Sequence, residues 1–124
     1  MRPSKFGRDV PDQWLISTQV PAAAAKSVCL VGKGIVYDTG GLAIKSVAGM
    51  CGMKMDMGGA AALMGAFEAA VAIGTKDSLH CALCLAENAV GPGAVRNDDV
   101  LTFFSGVTCE VNNTDAEGRL VLSD

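Results

Sequence analysis

Short uninterrupted runs of apolar residues, bounded by glycine, recur along the chain and are typical of buried strands. Two such runs, 28–31 and 35–37, stand on either side of a Gly-Lys-Gly, and Asp-Thr-Gly-Gly follows the second. We predict a separate buried strand for each run. A third strand is predicted at 79–86, and a further pair at 100–104 and 107–111.

One segment, 57–74, has helical rather than strand periodicity. Large apolar side chains recur there every four residues, at Leu63, Phe67 and Val71. Gly74 is a suitable C-terminal stop, and Glu68 is the only charged residue, so we predict a helix that is buried on most sides. Strand, helix and strand in this order predict an α/β fold, with a mixed β-sheet flanked by helices.

The two ends of the chain differ from this middle part. Residues 1–26 combine mixed charge with prolines, predict no regular element and stay an unassigned N-terminal segment. We place one domain at 27–124, a reasonable size for a single hydrophobic core. A second helix is predicted to begin near 116, and no stop signal follows it, so we expect a domain that is incomplete at its C-terminal side.

Composition and charge exclude several classes of partner. The net charge is −3 and no basic stripe is present, which argues against nucleic acid. The longest charge-free apolar stretch, 57–67, is too short and too rich in Gly and Ala to span a bilayer. No apolar signal region occurs near residue 1, so we expect no membrane partner and a cytoplasmic location.

The chain has five cysteines, an odd number, and nothing marks it for secretion, so reduced thiols are expected. Cys81 and Cys84 form a C-x-x-C without a second pair or a histidine at zinc-finger spacing. We interpret both as ordinary core residues. His80, the only histidine, lies in the same predicted strand and is interpreted as a core residue rather than a ligand.

Charged residues that lie inside or beside the apolar elements are the candidates for chemistry. They are Lys33, Asp38, Lys45, Asp56, Asp115, Glu117 and Arg119. Burying an unpaired charge costs several kcal/mol, so such groups are normally paired with one another or bound to metal.

Each residue taken alone has an ordinary structural interpretation. Asp38 suits a turn in which a carboxylate accepts a local backbone hydrogen bond. Asp56 suits the N-cap of the helix that follows it, and Lys45 suits the surface. Asp115 and Glu117 suit the first turn of a helix, where the helix dipole favours acids.

Taken together, four carboxylates at the ends of buried elements would repel one another unless cations lay between them. Oxygen ligands suit divalent ions, carboxylates can bridge two of them, and four negative charges balance two such ions. Lys33 could add a neutral amine ligand, because a buried or metal-bound lysine can lose its proton. Spacing alone therefore indicates a two-metal hydrolase without identifying its substrate.

Three blocks of sequence carry a resemblance to a known family. "VGKGIVYDTGGLAIK" (31–45), "GMKMDMGGAAA" (52–62) and "NNTDAEGRLVL" (112–122) resemble, in order, three blocks of the leucyl (cytosol) aminopeptidase family of dimetal exopeptidases. "GKGIVYDTGGL" and "CLAENAVGP" are most similar to its probable-aminopeptidase-like branch. The resemblance covers 27–124 and implies a partial leucyl-aminopeptidase-like catalytic domain.

The resemblance implies a role for each metal ligand. Lys33 and Asp56 would bind the tighter of two divalent ions, either zinc or manganese. Asp38 and Glu117 would bridge both ions, and Asp115 would bind the more exchangeable one.

It also implies roles around the metals. Lys45 would hold the substrate carbonyl and the tetrahedral oxyanion, Arg119 would anchor a bicarbonate that moves protons, and Met53 would line the pocket for the first side chain. The implied activity is removal of N-terminal amino acids from peptides with a free N-terminus, in a cytoplasmic protein. The family's full-length chains are expected to form hexamers.

Two other hypotheses fit the same residues. The chain could be a catalytically silent fragment or pseudoenzyme subunit that keeps partner contacts through apolar surface around 100–104. It could instead be a different carboxylate-based dimetal hydrolase, such as a phosphatase, in which Lys45 and Arg119 serve a phosphoryl group.

Overall fold

The computed structural model describes residues 13–123. Its strands are β1 (Gln13–Gln19), β2 (Ser27–Asp38), β3 (Ser78–Asn88), β4 (Val100–Thr102) and β5 (Thr108–Glu110). Its α-helices are α1 (Val47–Met50), α2 (Gly58–Ile73) and α3 (Glu117–Ser123), with two short 3-10 helices at Met53–Met55 and Thr114–Ala116.

A three-stranded mixed sheet organises the molecule. β3 lies in the centre, antiparallel to β1 on one side and parallel to β2 on the other. The predicted mixed sheet flanked by helices is confirmed, and α2 makes the crossover between the two parallel strands. β1 lies in the segment 1–26, for which the sequence predicts no regular element; residues 1–12 and 124 are outside the described residues.

β2 is one continuous strand of 12 residues, so the prediction of two separate strands around Gly-Lys-Gly was wrong. A Cβ placed on Gly32 would lie 2.8 Å from the Cα of Ala60 in α2. The glycine therefore marks a close approach between strand and helix backbones, not a turn.

Two hydrophobic clusters cover the two faces of the sheet, because successive residues of β3 point to opposite sides. The cluster beneath α2 contains Ala60, Phe67, Leu79, Cys81 and Leu83. The cluster beneath α3 contains Ile35, Cys84, Ala86, Val95, Val111, Leu120 and Val121. Both cysteines of the C-x-x-C are buried and free, as predicted, and they lie in different clusters.

α2 has the bounds that the periodicity predicts but not the burial. Only Ala60 and Phe67 of this helix are buried, so the prediction of burial on most sides was wrong. The helix covers one face of the sheet and leaves its remaining alanines largely exposed. Gly74 ends the helix as predicted: it has a φ of 90° and donates its N–H to the carbonyls of Ala70 and Val71.

By length and composition, one segment of the described chain, Val47–Ile73, could cross a membrane. It does not form one continuous helix: α1 ends at Met50, a 3-10 helix follows, and α2 begins only at Gly58. Asp56, inside the segment, brings a charge to the candidate site described below. These breaks and this charge favour a place in a folded domain over a membrane span.

β4 and β5 form a separate antiparallel pair, which confirms the predicted strand pair with shorter strands. Gly106, with a φ of 84°, lies in the turn between them. Partly buried residues of this hairpin, Leu101, Phe103 and Cys109, pack against the cluster beneath α3.

Candidate metal centre

Three acids from distant parts of the sequence meet where β2 ends and α3 begins. Asp38 is the last residue of β2, Asp115 lies in the second 3-10 helix, and Glu117 is the first residue of α3. One carboxylate oxygen from each lies within 4.8 Å of the others. Asp38 and Glu117 are only 2% and 1% exposed, so their mutual repulsion is weakly screened by water.

Two lysines, Lys33 and Lys45, lie among these acids, and Lys33 also contacts a fourth acid, Asp56. The Nζ of Lys33 is 2.8 Å from Asp56 Oδ2 and 2.7 Å from Glu117 Oε1. The structure thus places four carboxylates and two ammonium groups together, an excess of negative charge.

Lys45 makes the corresponding pair of contacts on the other side. Its Nζ is 3.0 Å from Asp38 Oδ2 and 2.6 Å from Asp115 Oδ1. The isolated interpretation of Lys45 as a surface residue is therefore wrong, since its side chain is only 17% exposed.

The acids hold both lysines in the charged form. Burial lowers the pKa of Lys33, but the hydrogen bonds and charges of Asp56 and Glu117 outweigh burial and raise that pKa above its ordinary value. The hydrogen bond to Asp115 is the main reason that the pKa of Lys45 is raised. As a neutral metal ligand, Lys33 would first have to release its proton.

Asp38 is fixed by local contacts as well as by Lys45. Its Oδ1 accepts hydrogen bonds of 2.8 Å from the Gly40 N–H and from Asn88 Nδ2. Burial raises the pKa of Asp38, but these donors and Lys45 together lower it below its ordinary value. The bond from the Gly40 N–H is the local turn hydrogen bond that the sequence predicts for Asp38 taken alone. The same carboxylate therefore accepts the turn hydrogen bond and also contacts the other residues of the cluster.

Asp56 does not form the predicted N-cap of α2. The N-cap is Met57, which makes no side-chain hydrogen bond, and Asp56 instead ends the first 3-10 helix. Its ion pair with Lys33 places its carboxylate in the cluster.

Thr114, which the sequence analysis missed, fastens the loop carrying Lys45 to the segment carrying Asp115. Its hydroxyl donates to the Gly40 carbonyl at 2.6 Å and accepts from the Ala43 N–H at 2.9 Å. The threonine is 1% exposed, which is unusual for a hydroxyl in a polar segment and is explained by these two bonds.

Asn88 and Gly118 were missed too. Asn88 ends β3, and its side-chain nitrogen lies between Asp38 and Glu117. A Cβ on Gly118 would lie 2.9–3.0 Å from the Cδ, Cε and Nζ of Lys33, so this glycine leaves room for the lysine. The available sequence signals were an amide at the end of a buried strand and a glycine in the first turn of a helix.

The remaining sequence candidates are less closely tied to the acids. Met53 is half-buried at the start of the 3-10 helix that contacts β2. Arg119 is exposed on α3 and makes no ion pair with another residue of the described part. His80 is half-buried rather than a core residue, and its Nδ1 lies 3.2 Å from the Thr18 hydroxyl.

The donor set fits divalent cations. Asp56 Oδ2 and Asp115 Oδ1 are shut off from solvent, and each has one partner among the described residues, a lysine nitrogen at 2.8 Å and 2.6 Å respectively. A carboxylate oxygen can accept more than one contact, so a metal ion could bind these oxygens beside or in place of the lysines. Four carboxylates and one amine suit divalent ions that prefer oxygen and nitrogen ligands.

A family model and several known proteins match this chain over most of its length. The model of the cytosol aminopeptidase family, catalytic domain, matches residues 11–124. The chain is 59% identical to the probable aminopeptidase NPEPL1 of Mus musculus over 114 residues, which are 92% of this chain and 22% of that protein. This relative bears the name of the branch that the sequence resembles.

Solved structures share the fold. The leucine aminopeptidase LAP1 of Caenorhabditis elegans superposes with a TM-score of 0.88 at 47% identity, over 91% of this chain and 23% of that one. The bottromycin maturation enzyme BotP, solved in complex with Mn, gives a TM-score of 0.87 at 41% identity, over 95% of this chain and 26% of that one.

The chain spans about a quarter of the length of these relatives. Within that span, the family model matches most of its residues, and both sequence and fold agree with the named aminopeptidases. The chain therefore belongs to the cytosol aminopeptidase family.

Proposed function

We propose that this chain is catalytic-domain sequence of a metal-dependent aminopeptidase that releases N-terminal amino acids from peptides. The observation that carries the proposal is the meeting of four carboxylates and two lysines at the ends of buried elements. Two divalent ions, zinc or manganese, supply when bound an activated water and a polarised scissile carbonyl.

The ligand assignment follows the family resemblance and is supported by the contacts in the cluster. Lys33 and Asp56, which already contact each other, would hold the tighter ion. Asp38 and Glu117, the two most buried acids, would bridge both ions. Asp115 would hold the more exchangeable ion.

Lys45 would stabilise the reacting carbonyl. The two acids beside it hold its ammonium in place and keep it charged, so a fixed positive charge is present before negative charge develops on the substrate oxygen. Such preorganised charge is usually the largest single contribution to catalysis.

Arg119 and Met53 would complete the site. Arg119 is exposed at the start of α3, and its guanidinium would bind a small anion, bicarbonate, that takes up and returns protons. Met53, the first residue of the 3-10 helix that precedes Asp56, would contact the first side chain of the peptide. A free α-amine on the substrate could coordinate one of the two metal ions, which would restrict cleavage to the N-terminal residue.

A cytoplasmic location and a homo-hexamer are part of the same proposal. Several relatives are named cytosol aminopeptidases, for example the probable one of Bacillus subtilis. The hexamer follows from the resemblance alone, and sedimentation velocity of the purified protein tests it.

The test combines metal binding with hydrolysis. Metal-stripped protein is titrated calorimetrically with Zn²⁺ or Mn²⁺, and the loaded protein is assayed with an aminoacyl-anilide and with an aryl phosphate. We expect two equivalents of metal and hydrolysis of the anilide only. Asp38→Ala should bind fewer equivalents, whereas Glu68→Ala, an exposed acid on α2, should match the wild type.

Each other result points to a specific alternative. Metal binding without hydrolysis of either substrate would identify a silent member of the family. Cleavage of the aryl phosphate alone would identify a different dimetal hydrolase. Full metal occupancy in Asp38→Ala would overturn the assignment of that residue.

A further inference from the structure

One side-chain amide lies between the two most buried acids of the centre. Asn88 Nδ2 is 2.8 Å from Asp38 Oδ1, 3.2 Å from Glu117 Oε2 and 2.9 Å from the Thr114 carbonyl oxygen. The asparagine is 5% exposed, so these acceptors are its environment rather than water. An amide nitrogen carries two hydrogens, so the three acceptors share them, and two of the three are acids of the centre.

The amide and the lysines contact different oxygens of the same two carboxylates. Asn88 binds Asp38 through Oδ1 and Glu117 through Oε2. Lys45 contacts Asp38 Oδ2, and Lys33 contacts Glu117 Oε1. In each acid, one carboxylate oxygen accepts a hydrogen bond from Asn88, and the other contacts a lysine ammonium group.

Asn88 is itself held by the sheet. It ends β3 and is the register partner of Asp38, beyond an irregularity in the pairing between Ile35 and Asp38. Its carbonyl oxygen accepts from the Thr39 N–H at 2.8 Å and from the Thr39 hydroxyl at 2.9 Å. The donor therefore lies on backbone that is hydrogen-bonded to the end of β2, which suits a group that orients metal ligands.

We propose that Asn88 is a positioning residue that sets the spacing and orientation of Asp38 and Glu117 as bridging ligands; this rests on the proposed function. The neutral amide joins two carboxylates without adding charge, and its contact with the Thr114 carbonyl ties the segment before α3 to the end of β3. Asn88 acts through the two acids and does not touch the substrate.

Mn²⁺ binding and its EPR spectrum test this role without relying on activity. Two Mn²⁺ ions that share bridging carboxylates are magnetically coupled, so their spectrum differs from that of isolated ions. In Asn88→Ala we expect Mn²⁺ affinity to fall about 10- to 100-fold and the coupled spectrum to disappear or change at saturating Mn²⁺. Asn97→Ala is the matched control, because the Asn97 amide is exposed and donates to the Asn112 carbonyl.

The possible outcomes distinguish a failure of the positioning role of Asn88 from a failure of the proposed two-metal function. If Asn88→Ala keeps the affinity and the coupled spectrum of the wild type, the positioning role is wrong and the dimetal function stands. If the wild type itself gives no coupled spectrum, the proposed two-metal function fails, and this inference fails with it. Circular dichroism checks folding, and Asn88→Ser, which keeps a polar group at the buried position, replaces Asn88→Ala if the latter does not fold.

Discussion

Lys45 contacts two of the acids, but we do not assign it as a metal ligand. Its proposed role is to stabilise the oxyanion that forms on the substrate. Its ammonium lies between Asp38 and Asp115. In Lys45→Met, removal of this charge should leave two equivalents of metal bound, because no metal ligand is lost. Hydrolysis of an aminoacyl-anilide should fall by about 10²- to 10³-fold, since the oxyanion loses its fixed positive charge.

Calorimetry and initial rates on the same preparation check this prediction. Lys54→Met is the control, because Lys54 is an exposed lysine on the neighbouring 3-10 helix. An unchanged rate in Lys45→Met would refute the oxyanion role, and loss of metal would instead make Lys45 part of the binding site.

Gly118 offers a second test at a single residue. A Cβ here would overlap the end of the Lys33 side chain, so Gly118→Ala should displace the lysine from Asp56 and Glu117. We expect weaker binding of the tighter metal without loss of the fold, because alanine is favoured over glycine in a helix.

Gly65→Ala in α2 is the matched control for that substitution, because a Cβ there meets nothing within 4 Å. Metal titration followed by thermal unfolding distinguishes the two variants. Native affinity in Gly118→Ala would mean that Lys33 moves aside easily or is not a ligand.

For single residues, the sequence identifies the charged groups of the site better than the uncharged residues that position them. Asp38, Asp56, Asp115 and Glu117 were identifiable because a carboxylate beside a buried element needs a counter-charge. Asn88 carries no charge, and its importance depends on two acids that approach it only in the folded chain. Gly118 and Thr114 similarly act through contacts with residues far away in sequence, which spacing does not reveal.

Among the elements, most types and approximate positions followed from the sequence, and the errors concern β1, which the sequence pattern does not predict, the continuity of β2 and the burial of α2. Gly32 looked like a break in β2 because glycine often ends strands, but here it admits the backbone of α2. The predicted burial of α2 failed for a related reason. An alanine-rich helix is apolar on all sides, so its composition does not say which face meets the sheet.

β3 gives a test at the scale of an element. As the central strand, it buries Cys81 and Cys84 on its two faces, and burial raises the pKa of both thiols above the ordinary value. At pH 8 the raised pKa leaves less reactive thiolate than an exposed cysteine has, and packing blocks access as well.

We therefore expect a disulfide reagent at pH 8 to modify Cys29 and Cys51, which are exposed, much faster than Cys81 and Cys84. In guanidinium all of these should react rapidly, which provides the internal control. Mass spectrometry of digests taken over time locates the modified residues. Rapid modification of Cys81 in native protein would mean that β3 is not the centre of a stable sheet.

For the whole molecule, the fold class and the convergence of acids were predictable, whereas the way the elements join was not. The proposed ligands come from β2, from the short connection between the first 3-10 helix and α2, and from the segment that begins α3. Pairing between β2 and β3 brings Asp38 beside Asn88, and Thr114 then fixes the third segment against the loop after β2. No local pattern in the sequence encodes these two joins.

Metal binding should therefore stabilise the chain as a whole. An ion held by residues of several elements binds the folded state and not the unfolded one, so the free energy of unfolding should rise with metal concentration. At a free concentration 100 times the dissociation constant, the gain is about 2.7 kcal/mol for each site. Thermal unfolding at increasing Zn²⁺ or Mn²⁺ should give a midpoint that climbs steadily for the wild type and for Glu68→Ala. For Asp38→Ala the climb should be smaller, and an equal climb in all three proteins would mean that the metal binds elsewhere on the chain.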